Sequence, residues 1–370
     1  MIKILFYIDT LEAGGAEKVL RTLVNNMDQS KFAITVMTAF PENADKYLTP
    51  GIAYRSLYRH NNKLTQLLLR VEAELGLTYR LRIHGDYDVE VAYLECAPTK
   101  IIAGSTNQKA LKLAWVHCDL EKKTADSAAF AAKTKPWYRK FHKVVFVSQN
   151  VRDSFERMYG TEFDTLVLHN VNDEAQIVAK ANEFSLPQEH RKVLTAVGRL
   201  THQKGFDRLL QAATILKHEG EDFLLRILGE GEERPALEAM IRENGLSDCV
   251  ELLGFQSNPY PYIRAADIIV CSSRYEGLST AVTEALILGK AVVTTPCTGM
   301  DELLGSSEYG LITEDNVNGL CNGIRRMLRE PKTLKSYENA AKLRAEAFSK
   351  AAVLEQTERF FQSELQKKHT

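Results

Sequence analysis

The chain has 370 residues, 45% hydrophobic and 26% charged, with 47 basic and 48 acidic side chains and a net charge of −1. At roughly 150 residues per domain that length suits two domains, and the even balance of charge argues against bulk nucleic-acid binding. No apolar run approaches the roughly 18 residues of a membrane span, and Met1 to Asp9 lacks the pattern of a signal peptide. Cys96, Cys118, Cys249, Cys271, Cys297 and Cys321 show no C-x-x-C pairing. They read as reduced, small buried hydrophobes of a cytosolic protein rather than as zinc or redox ligands.

In chain order, Ile2–Asp9 is an apolar run followed by a Gly-containing loop, and Ala16–Met27 has helical spacing through Val19, Leu20, Leu23, Val24 and Met27. Apolar runs recur at Ala33–Phe40, Asp88–Leu94, Lys112–Val116, Lys143–Val147 and Leu166–His169. The polar stretch Asn170–Arg191, with Pro187, reads as the boundary between domains. Val193–Val197 opens a second half in the same way, with the loop Gly198–Gly205 and a helix over Phe206–Lys217. Leu224–Leu228, Val250–Leu253, Ile268–Cys271 and Ala291–Thr294 follow, and Ser349–Lys368 reads as a closing helix. Strands alternating with helices predict two doubly wound parallel sheets. Such sheets bind ligands at the carboxyl ends of their strands, so two of them facing each other would share a central cleft.

Four features carry chemistry at those ends. Glu276-Gly-Leu-Ser-Thr-Ala-Val-Thr-Glu284 follows the run Ile268–Cys271 and enters a helix over Thr280–Leu288. Ser279 or Thr280 would cap that helix, and its first amides can hold phosphate oxygens. Two carboxylates bracketing an anion site fit hydrogen bonds from sugar hydroxyls; the plainer reading is a solvated Glu beside a capping loop. Arg199 and Lys204, on the loop after Val193–Val197, suit a diphosphate, with two ordinary surface charges as the alternative. Gly14-Gly15 lets a ligand approach the backbone but could be only a turn. His117 ends the run Lys112–Val116, and a lone His is equally often structural. Asp86-Tyr-Asp88 precedes its strand rather than following it, so it reads as a turn, and no metal site is expected.

With these residues in view, the chain resembles the family 4 (group 1) retaining glycosyltransferases of the GT-B fold, of the bacterial polysaccharide-assembly type. The likeness runs over nearly the whole chain and is strongest from Val193 to Leu328. It rests on VGRLTHQKGFDRLLQA, LGEGEE, LGF, ADIIVCSSRYEGLSTAVTEAL with its E-x(7)-E pair, and GKAVVTT, together with GGAEK, WVHCD and LHNVND. The resemblance implies an acceptor-side domain over 1–172, a nucleotide-sugar domain over 173–348, and a last helix, 349–370, returning to the first domain. It implies that Gly14 and Gly15 contact the donor near its phosphates and sugar, and that Arg199 and Lys204 neutralise the leaving diphosphate. Glu276 would bind sugar hydroxyls, the amides of Leu278, Ser279 and Thr280 phosphate or sugar, and Glu284 the ribose. The loops at Gly229–Gly231 and Gly254–Gln256, with Phe255, would cradle the base, and His117 would lie close to the sugar. Leu278-Ser279 stands where many members carry Phe-Gly, which leaves the donor sugar open.

The expected reaction is transfer of a hexose or N-acetylhexosamine from a nucleotide sugar, with UDP as the nucleotide, to a saccharide or lipid-linked acceptor. It needs no metal or other cofactor, because cationic side chains do the neutralising. Two basic segments interleaved with apolar residues, 133–143 and 55–82, offer an anionic membrane surface as a further partner and a peripheral cytoplasmic location. A solvated helix face is the alternative for both. Two rival functions are a nucleotide-sugar 2-epimerase, against which the Glu276/Glu284 pair argues, and a non-catalytic sugar-nucleotide-binding subunit, against which the intact Arg199, Lys204, Glu276 and Glu284 argue.

Overall fold

A computed structural model describes residues 1–12 and 14–369. Contacts divide the chain into two units, Met1–Val171 with the C-terminal segment from Ala351, and Asn172–Lys350. Among the described residues, the first unit holds seven parallel strands: β1 (Ile2–Tyr7), β2 (Phe32–Thr38), β3 (Ala53–Ser56), β4 (Val89–Ala92), β5 (Leu111–Val116), β6 (Lys143–Phe146) and β7 (Thr165–Val167). Their order is β3-β2-β1-β4-β5-β6-β7. Every residue of β4, β5 and β6 is buried. That is the mark of a sheet covered by helices on both faces, and it explains the near-continuous apolar runs.

The second unit repeats the plan with β8 (Lys192–Val197), β9 (Phe223–Leu228), β10 (Val250–Gly254), β11 (Ile268–Cys271), β12 (Ala291–Thr294) and β13 (Leu311–Ile312), in the order β10-β9-β8-β11-β12-β13. Its core joins Leu209, Leu210, Ala213 and Leu216 of the helix Phe206–His218 to Leu225 and Ile227 of β9 and to Leu320, Ile324 and Met327 of the helix Val317–Arg329. In each sheet the strand order reverses beside the first strand of the unit, between β1 and β4 and between β8 and β11. A crevice opens at such switch points, outside the carboxyl ends of the strands.

Two strands escaped the sequence reading. β3 is an edge strand, AYRS, with partly exposed alternate residues, and β13 has only two residues; neither is long or apolar enough to stand out as a run. Part of the polar stretch Asn170–Arg191 is helix, not linker. Asp173 caps the helix Glu174–Ala181 by accepting from the Gln176 amide at 3.0 Å, and Asn258 donates to the Lys180 carbonyl at 2.9 Å, tying the helix to the second unit. The helix Lys350–His369 packs on the first unit through Phe361, whose ring lies 6.1 Å from Phe6 and 6.2 Å from Phe32. Glu358 adds a hydrogen bond from the Asp28 amide at 2.8 Å. Thr370, the last residue assigned to this helix from sequence, lies outside the described residues. No helix among the described residues is long and apolar enough to cross a membrane.

Candidate functional site

In the second unit the loops that follow β8 and β11 are laced together. Parallel pairing of Ile268 with Leu194 and Ile269 with Thr195 makes the two strands neighbours, so their carboxyl-end loops emerge side by side. Ser272 donates to the Lys204 carbonyl at 2.9 Å, the Arg274 amide to the Gln203 carbonyl at 2.8 Å, and Gln203 Nε2 to the Tyr275 carbonyl at 3.0 Å. Arg274 grips Asp207 through two nitrogens at 2.9 and 2.7 Å. Gly205, at φ 62°, makes the close crossing feasible: a Cβ there would stand 2.3 Å from the Ser272 carbonyl oxygen.

This lacing brings together two residues that lie 72 positions apart in sequence. Lys204 Nζ donates to Glu276 Oε1 at 2.6 Å, and Ser273 Oγ donates to the same oxygen at 2.6 Å. Both partners are largely buried. Burial alone would lower the Lys204 pKa, but the Glu276 carboxylate outweighs it and the ammonium is held above its ordinary value. Lys204 therefore stays charged, with two of its three protons available to another acceptor. Arg199, on the same loop, is exposed and makes no ion pair among the described residues. Next along, Ser279 caps the helix Thr280–Ile287 by accepting from the Val282 amide at 3.4 Å. Leu278 is buried just before it, and Glu284 is buried on its inner side. Gly229, at φ 146°, would put a Cβ 1.8 Å from the Gly198 carbonyl oxygen, so the loop after β9 sits directly against the loop after β8. Phe255, after β10, is 66% exposed, an uncovered ring at the same sheet edge.

The remaining sequence-derived residues, Gly14, Gly15 and His117, lie at the carboxyl edge of the first sheet. Gly14 precedes the helix α1 (Gly15–Asn26) at φ 140°, with no side-chain cap, which leaves the first amides of α1 without a side-chain partner from the cap position. His117 follows β5. Its backbone amide donates to Glu95 Oε2 at 3.1 Å, and its ring lies 4.7 Å from Tyr93. The Nε2 atom is buried and has no hydrogen-bond partner, an uncommon condition that calls for an explanation. Burial pulls the imidazole pKa down to about 4, with the nearby Glu95 charge opposing the fall, so His117 is neutral at neutral pH.

Sequence reasoning missed Ser273, the Arg274–Asp207 pair and Glu95. Glu95 is buried after β4 and accepts from the His117 amide, from Cys118 Sγ at 2.9 Å and from Lys123 Nζ at 3.0 Å. Its place at the carboxyl end of an apolar run was the available signal. Four of the six cysteines are buried, but Cys96 and Cys271 only partly so, and three of the six are more than small hydrophobes. Cys118 donates to Glu95, and a hydrogen bond from Cys297 brings the Cys271 thiol down to about 6 against the cost of burial. Asp88 accepts from the Lys3 amide at 2.8 Å, and Asp86 pairs with Lys3 at 3.6 Å, so the D-x-D element fastens the entry of β4 to β1.

Two doubly wound parallel modules in one chain, each with polar groups at its switch point, define the class as GT-B. Chains of that fold superpose on nearly the full length. Sucrose-phosphate synthase from Thermosynechococcus elongatus matches with a TM-score of 0.81 at 19% identity, covering 98% of this chain and 99% of its own. Anabaena HepE in complex with UDP and glucose matches with a TM-score of 0.76 at 20% identity, covering 98% and 100%. Residues 179–344 match the family model of glycosyl transferases group 1. The N-acetylgalactosamine-N,N'-diacetylbacillosaminyl-diphospho-undecaprenol 4-alpha-N-acetylgalactosaminyltransferase of Campylobacter jejuni is 39% identical over 189 residues, 50% of each chain. The 2-deoxystreptamine glucosyltransferase of Streptomyces kanamyceticus is 31% identical over 160 residues, 42% of this chain and 41% of its own. The matched stretches thus span about half the length of these curated relatives or less. The likeness to the group 1 glycosyltransferases is thus shown for residues 179–344, less than half of the chain.

Proposed function

We propose that this chain is a retaining glycosyltransferase that moves a hexose or N-acetylhexosamine from a nucleotide sugar, with UDP as the nucleotide, to a saccharide or lipid-linked saccharide. The observation that carries the reading is the Lys204–Glu276–Ser273 cluster at the switch point of the second sheet, with Arg199 free beside it. Breaking the anomeric bond builds negative charge on the departing diphosphate. The spare protons of Lys204, the Arg199 guanidinium and the amides at the start of the helix Thr280–Ile287 are the donors to meet it. Losing one such fixed donor typically costs about 10²–10³ in rate. Glu276 keeps its second oxygen for a sugar hydroxyl, and Glu284 is assigned to the ribose. The loop after β9 at Gly229, with Phe255, is assigned to the base. Gly14, Gly15 and His117 keep the roles near phosphates and sugar that the family resemblance gives them.

UDP is supported by the HepE complexes with UDP and UDP-glucose. A lipid-linked acceptor in surface glycan assembly, and hence work at the cytoplasmic face of a membrane, is supported by the diphospho-undecaprenol in the name of the Campylobacter relative. For retention we favour front-face attack: the acceptor oxygen bonds to the anomeric carbon as the diphosphate leaves on the same side, and the leaving phosphate takes the acceptor's proton. An inverted product anomer would rule this out.

The test is slow release of nucleoside diphosphate from a panel of UDP-, GDP- and ADP-sugars in the presence of EDTA. Release from a UDP-sugar, reduced about 10²-fold or more in Glu276→Gln, is the expected result. Binding of the donor with no release, even when acceptors and manganese are supplied, would replace the enzyme reading with that of a binding subunit.

A further inference from the structure

The two basic segments at 55–82 and 133–143 differ sharply in what they expose. In the second, Lys135 donates to Glu162 at 2.9 Å, Arg139 to the same carboxylate at 2.9 Å, and Lys143 to Asp164 at 2.6 Å. Its Trp137 is half-buried beneath Lys100, which sits 5.3 Å over the ring. Lys133 and Lys140 of that segment are exposed, but Tyr138 is buried and Trp137 and Phe141 are half-buried, so it presents no apolar ridge.

The first segment is built the other way round. Its helix α2 (Lys63–Glu74) starts on a capping box, in which Asn62 accepts from the Thr65 amide and Thr65 from the Asn62 amide, each at 3.0 Å. The inward face of α2 is modest: Leu69 touches the core, and Glu72 is buried against Arg82 and the Tyr58 hydroxyl. The outward face is the apolar one. Leu64, Leu67, Leu68, Val71 and Leu75 recur at helical spacing and fall within roughly 100° of arc, and all five are exposed, Leu64 at 65%, Leu67 at 57% and Leu75 at 66%. Leu77 and Leu81 extend the exposed patch beyond the helix. An ordinary surface helix hides such a stripe, and contiguous exposed apolar surface marks an interaction site.

Charge selects the occupant. Residues 55–82 carry six basic side chains, Arg55, Arg59, Lys63, Arg70, Arg80 and Arg82, against the carboxylates Glu72 and Glu74. Glu72 is taken by Arg82, and Glu74 by Lys100 at 2.8 Å. Arg59, Lys63, Arg70 and Arg80 are exposed and make no ion pair among the described residues. A projecting apolar ridge rimmed by free cations fits an anionic bilayer, with leucines among the acyl chains and cations at the phosphates.

We propose that α2 and the turn after it form the surface by which this protein lies on an anionic phospholipid membrane, entering the interface through Leu64, Leu67, Val71 and Leu75. The inference rests on the membrane-face placement given above and names the surface responsible.

The full chain is mixed with vesicles of phosphatidylcholine, alone or with roughly a third phosphatidylglycerol, and floated on a density gradient. The expected result is flotation with the anionic vesicles and little with the neutral ones. Leu67→Gln/Val71→Gln and Lys63→Glu/Arg70→Glu should each lower partitioning by about tenfold or more, with circular dichroism, Tm and donor release unchanged, whereas Lys140→Glu should leave it intact. Failure of the wild type to float would overturn both the surface and the membrane placement. Equal flotation of wild type and both α2 variants would overturn the surface alone. A lipid-free dimer dissolved by Leu67→Gln/Val71→Gln would make the occupant a second copy of the chain and overturn the proposal.

Discussion

Glu95 shows how much a single buried carboxylate can hold in place. Burial raises its pKa, but Lys123, the Cys118 thiol and His117 together overcome burial and bring it down to about 2. A carboxyl group depressed in the folded state stabilises the fold above its unfolded pKa, and the contribution fades as pH falls through the folded value. His117 acts in the same direction, because a base held neutral at about 4 loses its contribution as pH drops below the ordinary histidine value. Wild-type stability should therefore begin to fall near pH 6 and fall further below pH 4.5. Glu95→Gln should cost about 1–2 kcal/mol at pH 7, a discounted figure because Lys123 is 38% exposed and partly screened by water. Urea midpoints read from pH 7 down to 3 should show the gap between variant and wild type narrowing; a gap constant across that range would mean that Glu95 is not held ionised.

At the scale of elements, the helix Lys350–His369 seats Phe361 in the sheet beneath it and adds polar ties such as the Asp28 amide to Glu358. Phe361 is fully buried and meets Phe6 and Phe32 edge-on. Phe361→Ala should cost about 3–5 kcal/mol and expose the tail to proteolysis ahead of the rest of the chain; cleavage at wild-type rate would show that the tail is held elsewhere. The helix was visible in the sequence as a pattern, and so were the buried strands, because parallel strands covered on both faces are written as unbroken apolar runs. β3 and β13 were not, since an edge strand of alternating exposure and a two-residue strand carry no such run. The helix Glu174–Ala181 hid inside a polar stretch because it turns a small apolar face, Ile177 and Ala181, inward. The outward leucines of α2 illustrate the opposite limit. Periodicity shows that they share a face, and only the fold shows that the face is left open.

Across the whole molecule, the same construction appears twice, and each time the polar groups collect where the strand order reverses. The sequence placed Lys204 and Glu276 at carboxyl ends of separate strands and gave them separate roles. Their union as one hydrogen-bonded pair follows from β8 and β11 being neighbours, a fact of topology that spacing along the chain does not record. On the proposed function, the crevice at this switch point would hold a nucleoside diphosphate. Calorimetric titration of UDP into the wild type, Arg199→Ala and Lys204→Met tests it most directly. Binding to the wild type is expected, with a loss of about 10–100-fold in each variant, the worth of a hydrogen bond to a charged group. Folded variants that bind UDP as tightly as the wild type would contradict it.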